Sequence, residues 1–146
     1  MTAPRVFTLE EAIATLPYVR RIAADLSREY QAWQQVLLRY ELTVMHRRPD
    51  PDGLPPDDGA AALEQEAAAL ATRIEHYLSE LRGVGAIAVE YGEEGIDFPG
   101  VLAGQPVRWS WRLGEPTITR LRRGDDPESR REPIDAAVNT YSDGAR

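Results

Sequence analysis

An α+β fold, a long antiparallel helical hairpin set against a small antiparallel sheet, follows from three features of the sequence. Val19, Ile22, Leu26, Tyr30, Trp33, Leu37, Tyr40 and Val44 recur at spacings of three and four, which makes one apolar helical stripe with a coiled-coil-like rhythm. Leu63, Ala67, Leu70, Ile74, Tyr77 and Leu81 repeat that rhythm, so each stripe has a partner to bury it. Beyond Gly85 the apolar residues alternate with period two, as in strands with one buried face.

The elements follow in order. Thr8-Leu9-Glu10-Glu11 fits a capping box, in which the threonine side chain accepts an amide of the first turn and the glutamate reaches back. A helix therefore starts here. Pro17 removes an amide donor and crowds the carbonyl four residues back, which predicts a short helix over 9–15 and a kink or break. The long helix then runs from 17 or 18 to about 46, roughly 40 Å. Near its end Leu38, Leu42 and Met45 form a second stripe beside the first, and one partner helix cannot cover both. Either the sheet or a neighbouring loop packs there, or it is the face of a homodimer in which two hairpins make a four-helix bundle.

Residues 47–59 hold four prolines, two glycines and four aspartates and must form a loop. Asp57 or Asp58 is placed to cap a second, alanine-rich helix over about 60–82, with Gly83 as its C′ residue. Residues 86–91 read as a strand, 92–95 as a turn, 96–98 as a short strand ending before Pro99, and Ala103-Gly104 as a second turn. Val107, Trp109, Trp111 and Leu113 then alternate with Arg108, Ser110 and Arg112, giving an apolar face toward the helices and a basic one away from them. A turn at 113–116 leads to a last strand over 117–122, and the two strands make a hairpin. From Asp125 no period is visible. The expected organisation is one domain over 1–135, with hairpin 8–82 and sheet region 85–123, and a disordered, irregular tail over 136–146.

Composition narrows the function. No apolar stretch approaches the roughly 20 residues that span a bilayer, and no apolar segment follows Arg5 to make a secretory signal, so the cytoplasm is the expected location. The absence of cysteine excludes disulfides, thiolate metal sites and cysteine nucleophiles. All 17 basic residues are arginine, which points to a GC-rich bacterial genome. A net charge of −7 argues against wholesale binding to nucleic acid but leaves room for a local basic patch.

The segments Phe7-Thr-Leu-Glu-Glu-Ala, Leu16-Pro17-Tyr-Val-Arg, Gly95-Ile-Asp-Phe-Pro99 and Trp111-Arg-Leu-Gly-Glu-Pro116 stand in an order and spacing that resembles the bacterial domain-of-unknown-function family 2203, over about residues 7–134. The resemblance implies no established activity. Where members continue with a Tyr-Trp-His segment and then Gly-Phe-x-Gly-Arg before Pro-Ile, this chain has Arg120-Leu121-Arg122 and Pro127-Glu128-Ser129-Arg130-Arg131. Only Arg131, Pro133 and Ile134 persist, and Arg122 stands at the histidine, so a family site there is lost or changed.

Three constellations carry chemistry. His46 and His76 fall roughly 24 Å apart along the hairpin, too far to share a metal, and each reads as a solvated or capping side chain. Glu90, Glu93, Glu94, Asp97 and Glu115 gather at the turns; paired carboxylates can hold a divalent metal or divide acid and base roles, but Asp97 and Glu115 suit holding a turn, by accepting backbone amides, better than catalysis. Arg108, Arg112, Arg120, Arg122 and Arg131 form the basic face, whose guanidinium forks match phosphate or carboxylate. Hairpin pairing sets like charges side by side there, so an anion must lie over the face: acids of the same chain, acids of a second subunit, or an external phosphate. The expected function is a non-enzymatic protein-interaction module without a cofactor, working as a homodimer with an unidentified protein partner. Anion or nucleic-acid binding through the arginines is the alternative, and a metal-dependent enzyme built on the turn carboxylates is the third reading.

Overall fold

The computed structural model describes residues 5–124, 126, 129–135 and 137. Helices α1 (Leu9–Met45) and α2 (Ala60–Val84) precede strands β1 (Ile87–Val89), β2 (Gly95–Leu102), β3 (Gln105–Trp111), β4 (Arg120–Arg123) and β5 (Glu132–Pro133). The helices are antiparallel, since Tyr40 donates to Glu64 at 2.7 Å and Arg73 reaches Glu29 at 3.5 Å. The strands form one antiparallel sheet in chain order. The α+β class and the hairpin stand as the sequence predicts.

The capping box is present: Thr8 Oγ1 accepts the Glu11 amide at 3.0 Å and the Glu11 carboxylate accepts the Thr8 amide at 3.2 Å. The break expected at Pro17 does not occur, and α1 is one helix with Pro17 inside it. Pro17 and Ile13 both lie on the exposed side, so the Ile13 carbonyl that loses its donor can turn to water. On the other side Leu16 and Val19 are buried and hold the turn straight.

Both ends of α2 differ by a residue or two from expectation. Its N-cap is Gly59 at φ 84°, while Asp58 accepts the Ala60 amide at 3.1 Å. Its end lies at Val84, not before Gly83. Gly85, at φ 91°, donates to Arg82 and Ala86 donates to Leu81, the two bonds of a Schellman ending.

The expected strand over 86–91 stops at Val89, because Glu90 and Tyr91 both adopt left-handed conformations, at φ 51° and 56°. That conformation costs a non-glycine residue about 1 kcal/mol or more. It sets the Tyr91 ring on Tyr30, with centroids 4.7 Å apart. β2 runs straight through Pro99. Past Asp97 its outer edge has no strand beside it among the described residues, and the Pro99 carbonyl instead accepts the Phe7 amide at 2.7 Å. The proline nitrogen faces the same outer edge, so no ladder bond is lost. Ala103 and Gly104, at φ 51° and 78°, make the tight turn that the sequence predicts. Leu113 lies beyond β3 and is exposed, and the last predicted strand begins at Arg120, not at 117. β5 was not foreseen. The tail expected over 136–146 lies outside the described residues except for Ala137, which is buried.

Two regions result. In the base, Phe7, Leu16, Val19, Ile22 and Leu26 meet Ile96, Phe98, Trp109, Trp111 and Leu121 of the sheet, and Ile74 and Leu81 of α2 close the side. The Trp109 indole donates to the Phe7 carbonyl at 2.8 Å over Gly100, where a Cβ would stand 2.8 Å from that carbonyl. Beyond Trp33, from Gln34 to Met45, about 18 Å of α1 lies outside the base cluster, and among the described elements α2 is the one paired with it. In this arm Val36, Leu70 and Ala60 are buried, outside the base cluster.

Candidate functional site

The sheet turns its second face away from the helices, and the arginines are gathered there. Strand register sets Asp97 opposite Ser110, Arg108 opposite Arg122, and Ser110 opposite Arg120. Like charges therefore do face each other across β3 and β4, as alternation predicts. Asp97 lies beneath them with no exposed surface, its Oδ2 3.0 Å from Arg122 Nε and 3.8 Å from Arg108 Nη1. Neither approach is aligned as a hydrogen bond, so charge and not bonding geometry joins the three groups. Burial pushes the Asp97 carboxyl above its usual range, while Ser110, Arg122 and Arg108 pull it back. Asp97 is thus a buried mid-strand counter-charge. The short strand expected over 96–98 runs on to Leu102, which leaves Asp97 inside β2.

A segment after β4 closes over this layer. Arg122, itself buried, donates through Nη1 to the Ser129 carbonyl at 2.6 Å and through Nη2 to the Glu94 carbonyl at 2.5 Å. Arg131 crosses the face, donating to Ser110 Oγ at 2.9 Å and pairing with Glu115. Glu115 also accepts the Arg112 amide at 2.6 Å, and its carbonyl receives the Trp111 indole at 2.8 Å, so it fastens the turn after β3. Arg112 reaches Glu94 at 2.9 Å. Of the anion sources the arrangement left open, acids of the same chain account for Arg112, Arg122 and Arg131. Arg120 and Arg130 have no ion pair or side-chain hydrogen bond to a described residue. They line an open groove of about 600 Å³ with the other arginines.

The remaining candidates lie apart. His46 Nδ1 is 2.6 Å from the Leu42 carbonyl and His76 pairs with Glu80, each within its own helix. Among the described residues no group of three or more histidines and carboxylates stands together, and Glu94, Asp97 and Glu115 each face an arginine. Leu38, Leu42 and Met45 are 56%, 45% and 73% exposed, so neither the sheet nor a loop covers them. Ser110, Ser129 and Arg130 belong to the site although the sequence assigns them no role in it. The pair Arg130-Arg131 was a visible signal, but only the pairing of β4 with β5 folds it back over the sheet.

Fold and site together define a small α+β protein: a helical hairpin seated on a five-stranded antiparallel sheet whose outer face carries a buried aspartate under a lattice of arginines. Residues 5–134 match the model of the uncharacterized conserved protein family DUF2203, and the chain belongs to that family. No curated protein and no solved structure matches it.

Proposed function

We propose that the chain is a non-enzymatic protein-interaction module that pairs with a second copy of itself through the arm. One observation carries this reading: Leu38, Leu42 and Met45, spaced four and three, form an exposed apolar stripe on a part of α1 that has one helix beside it among the described residues. A two-helix hairpin in water is marginal, and a second pair of helices supplies the missing layer. No helix among the described residues is long and apolar enough to cross a membrane.

Sedimentation at micromolar concentration tests the pairing. A species of twice 16.3 kDa is expected, and Leu42→Glu should convert it to a folded monomer. A clean monomer across that range defeats the reading. The metal-dependent alternative has no comparable support, since arginines occupy the approaches to three of its five carboxylates.

A further inference from the structure

The groove on the sheet's outer face is a second surface, independent of the arm. Its lining includes five arginines, at 112, 120, 122, 130 and 131, against two glutamates, Glu94 and Glu115. In a chain of net charge −7 this is a local reversal of sign. The fixed arginines explain themselves: Arg122 is spent on Asp97 and two carbonyls, Arg131 on Ser110 and Glu115, and Arg112 on Glu94. Arg120, half-buried on β4, and Arg130, exposed on the closing segment, are spent on nothing described. Two guanidinium forks thus line one groove with no described residue to receive their donors.

We infer that this groove binds a compact oxyanion carrying two negative charges, the phosphoryl group of a small molecule. A phosphoryl group brings nearly two charges and three acceptor oxygens at neutral pH, which matches two free forks. A single carboxylate satisfies one fork and leaves the other. A nucleic-acid strand fits poorly for three reasons. Glu94 and Glu115 stand in the lining, the whole chain repels a polyanion, and Trp109 and Trp111 are buried on the opposite face, so no ring is offered for stacking. The ligand bridges β4 to the segment that carries Arg130 and supplies the anion that these two arginines do not find among the described residues.

Calorimetric titration of the full chain at low salt, with inorganic phosphate, pyrophosphate and a single-stranded oligonucleotide in separate runs, tests the assignment. Saturable binding of phosphate or pyrophosphate is expected, with a rise in melting temperature that follows ligand concentration. In the double variant Arg120→Gln, Arg130→Gln the affinity should fall at least tenfold while the ligand-free melting temperature stays put, since neither side chain has a partner to lose among the described residues. Should that variant melt lower, exposed Arg130→Gln alone carries the comparison, and Arg120→Lys with Arg130→Lys should retain measurable binding. Three results each overturn the inference: no saturable binding of either compact anion, unchanged affinity in the glutamine variants, or tighter binding of the oligonucleotide than of pyrophosphate.

Discussion

Leu26 and Leu70 belong to matching stripes of the same hairpin, both buried, yet they sit in different surroundings. Leu26, in the base, has α2 on one side and the sheet under it; Leu70, in the arm, lies outside that cluster and has only the opposite helix. The sequence pattern is the same in both places. What differs is the number of layers, which is set by residues more than sixty positions away from Leu26 in the sheet. A heptad stripe therefore says that a helix will be covered, and the third layer decides how firmly.

The largest effect that can break this comparison lies in the base. Arg122→Met removes the cation nearest Asp97 and both bonds to the Ser129 and Glu94 carbonyls, leaving a buried carboxylate, for an expected loss of about 3–5 kcal/mol. The loss depends on pH with a definite sign. The folded Asp97 pKa already lies above its ordinary value and rises further without Arg122, so the folded state holds its proton longer than the unfolded state does. Stability of the variant then falls as pH rises through that window, and the deficit shrinks toward about pH 4. Denaturant unfolding of both proteins across the range measures it, and a deficit that does not vary with pH means that Asp97 is not the charge left behind.

A direct test makes the same change in each region. Leu26→Ala should cost about 4 kcal/mol, because the layers on either side of it cannot collapse into the cavity. Leu70→Ala should cost nearer 2 kcal/mol, because α1 and α2 in the arm can close toward each other. Equal losses in chemical denaturation would show that base and arm pack as one unit. Smallest is the effect of a cap: Thr8→Ala removes the side-chain acceptor for the Glu11 amide and should lower stability by about 1 kcal/mol. Hydrogen exchange should place that loss in the first turn of α1 and leave the arm's amides unchanged.

The sequence displayed whatever depends on local periodicity. Both helical stripes, the capping box, the Ala103-Gly104 turn and the inward faces of Trp109 and Trp111 could all be read from spacing alone. Pro17 and Pro99 misled because a proline's cost depends on whether its nitrogen and the neighbouring carbonyl face water or a partner, and the chain does not state which. β5 was invisible because two residues have no period. The candidate groove was half legible: alternation placed Arg108, Arg120 and Arg122 on one face, but Asp97 beneath them follows from the register of β2 against β3. Arg130 joins them only through the pairing of β4 with β5.

The bond from the Trp109 indole to the Phe7 carbonyl joins residues 102 positions apart. That separation imposes a schedule on synthesis. At about 5–20 residues per second, roughly 5–20 s pass between the emergence of Phe7 and that of Trp109, and through that interval the stripe from Val19 to Leu26 has no sheet to lie on. The first cover to arrive is α2, whose contacts with α1 span much shorter loops, such as Tyr40 to Glu64. The weakly layered arm is thus the part of the molecule that can form early, and the firmest part is the last to be completed.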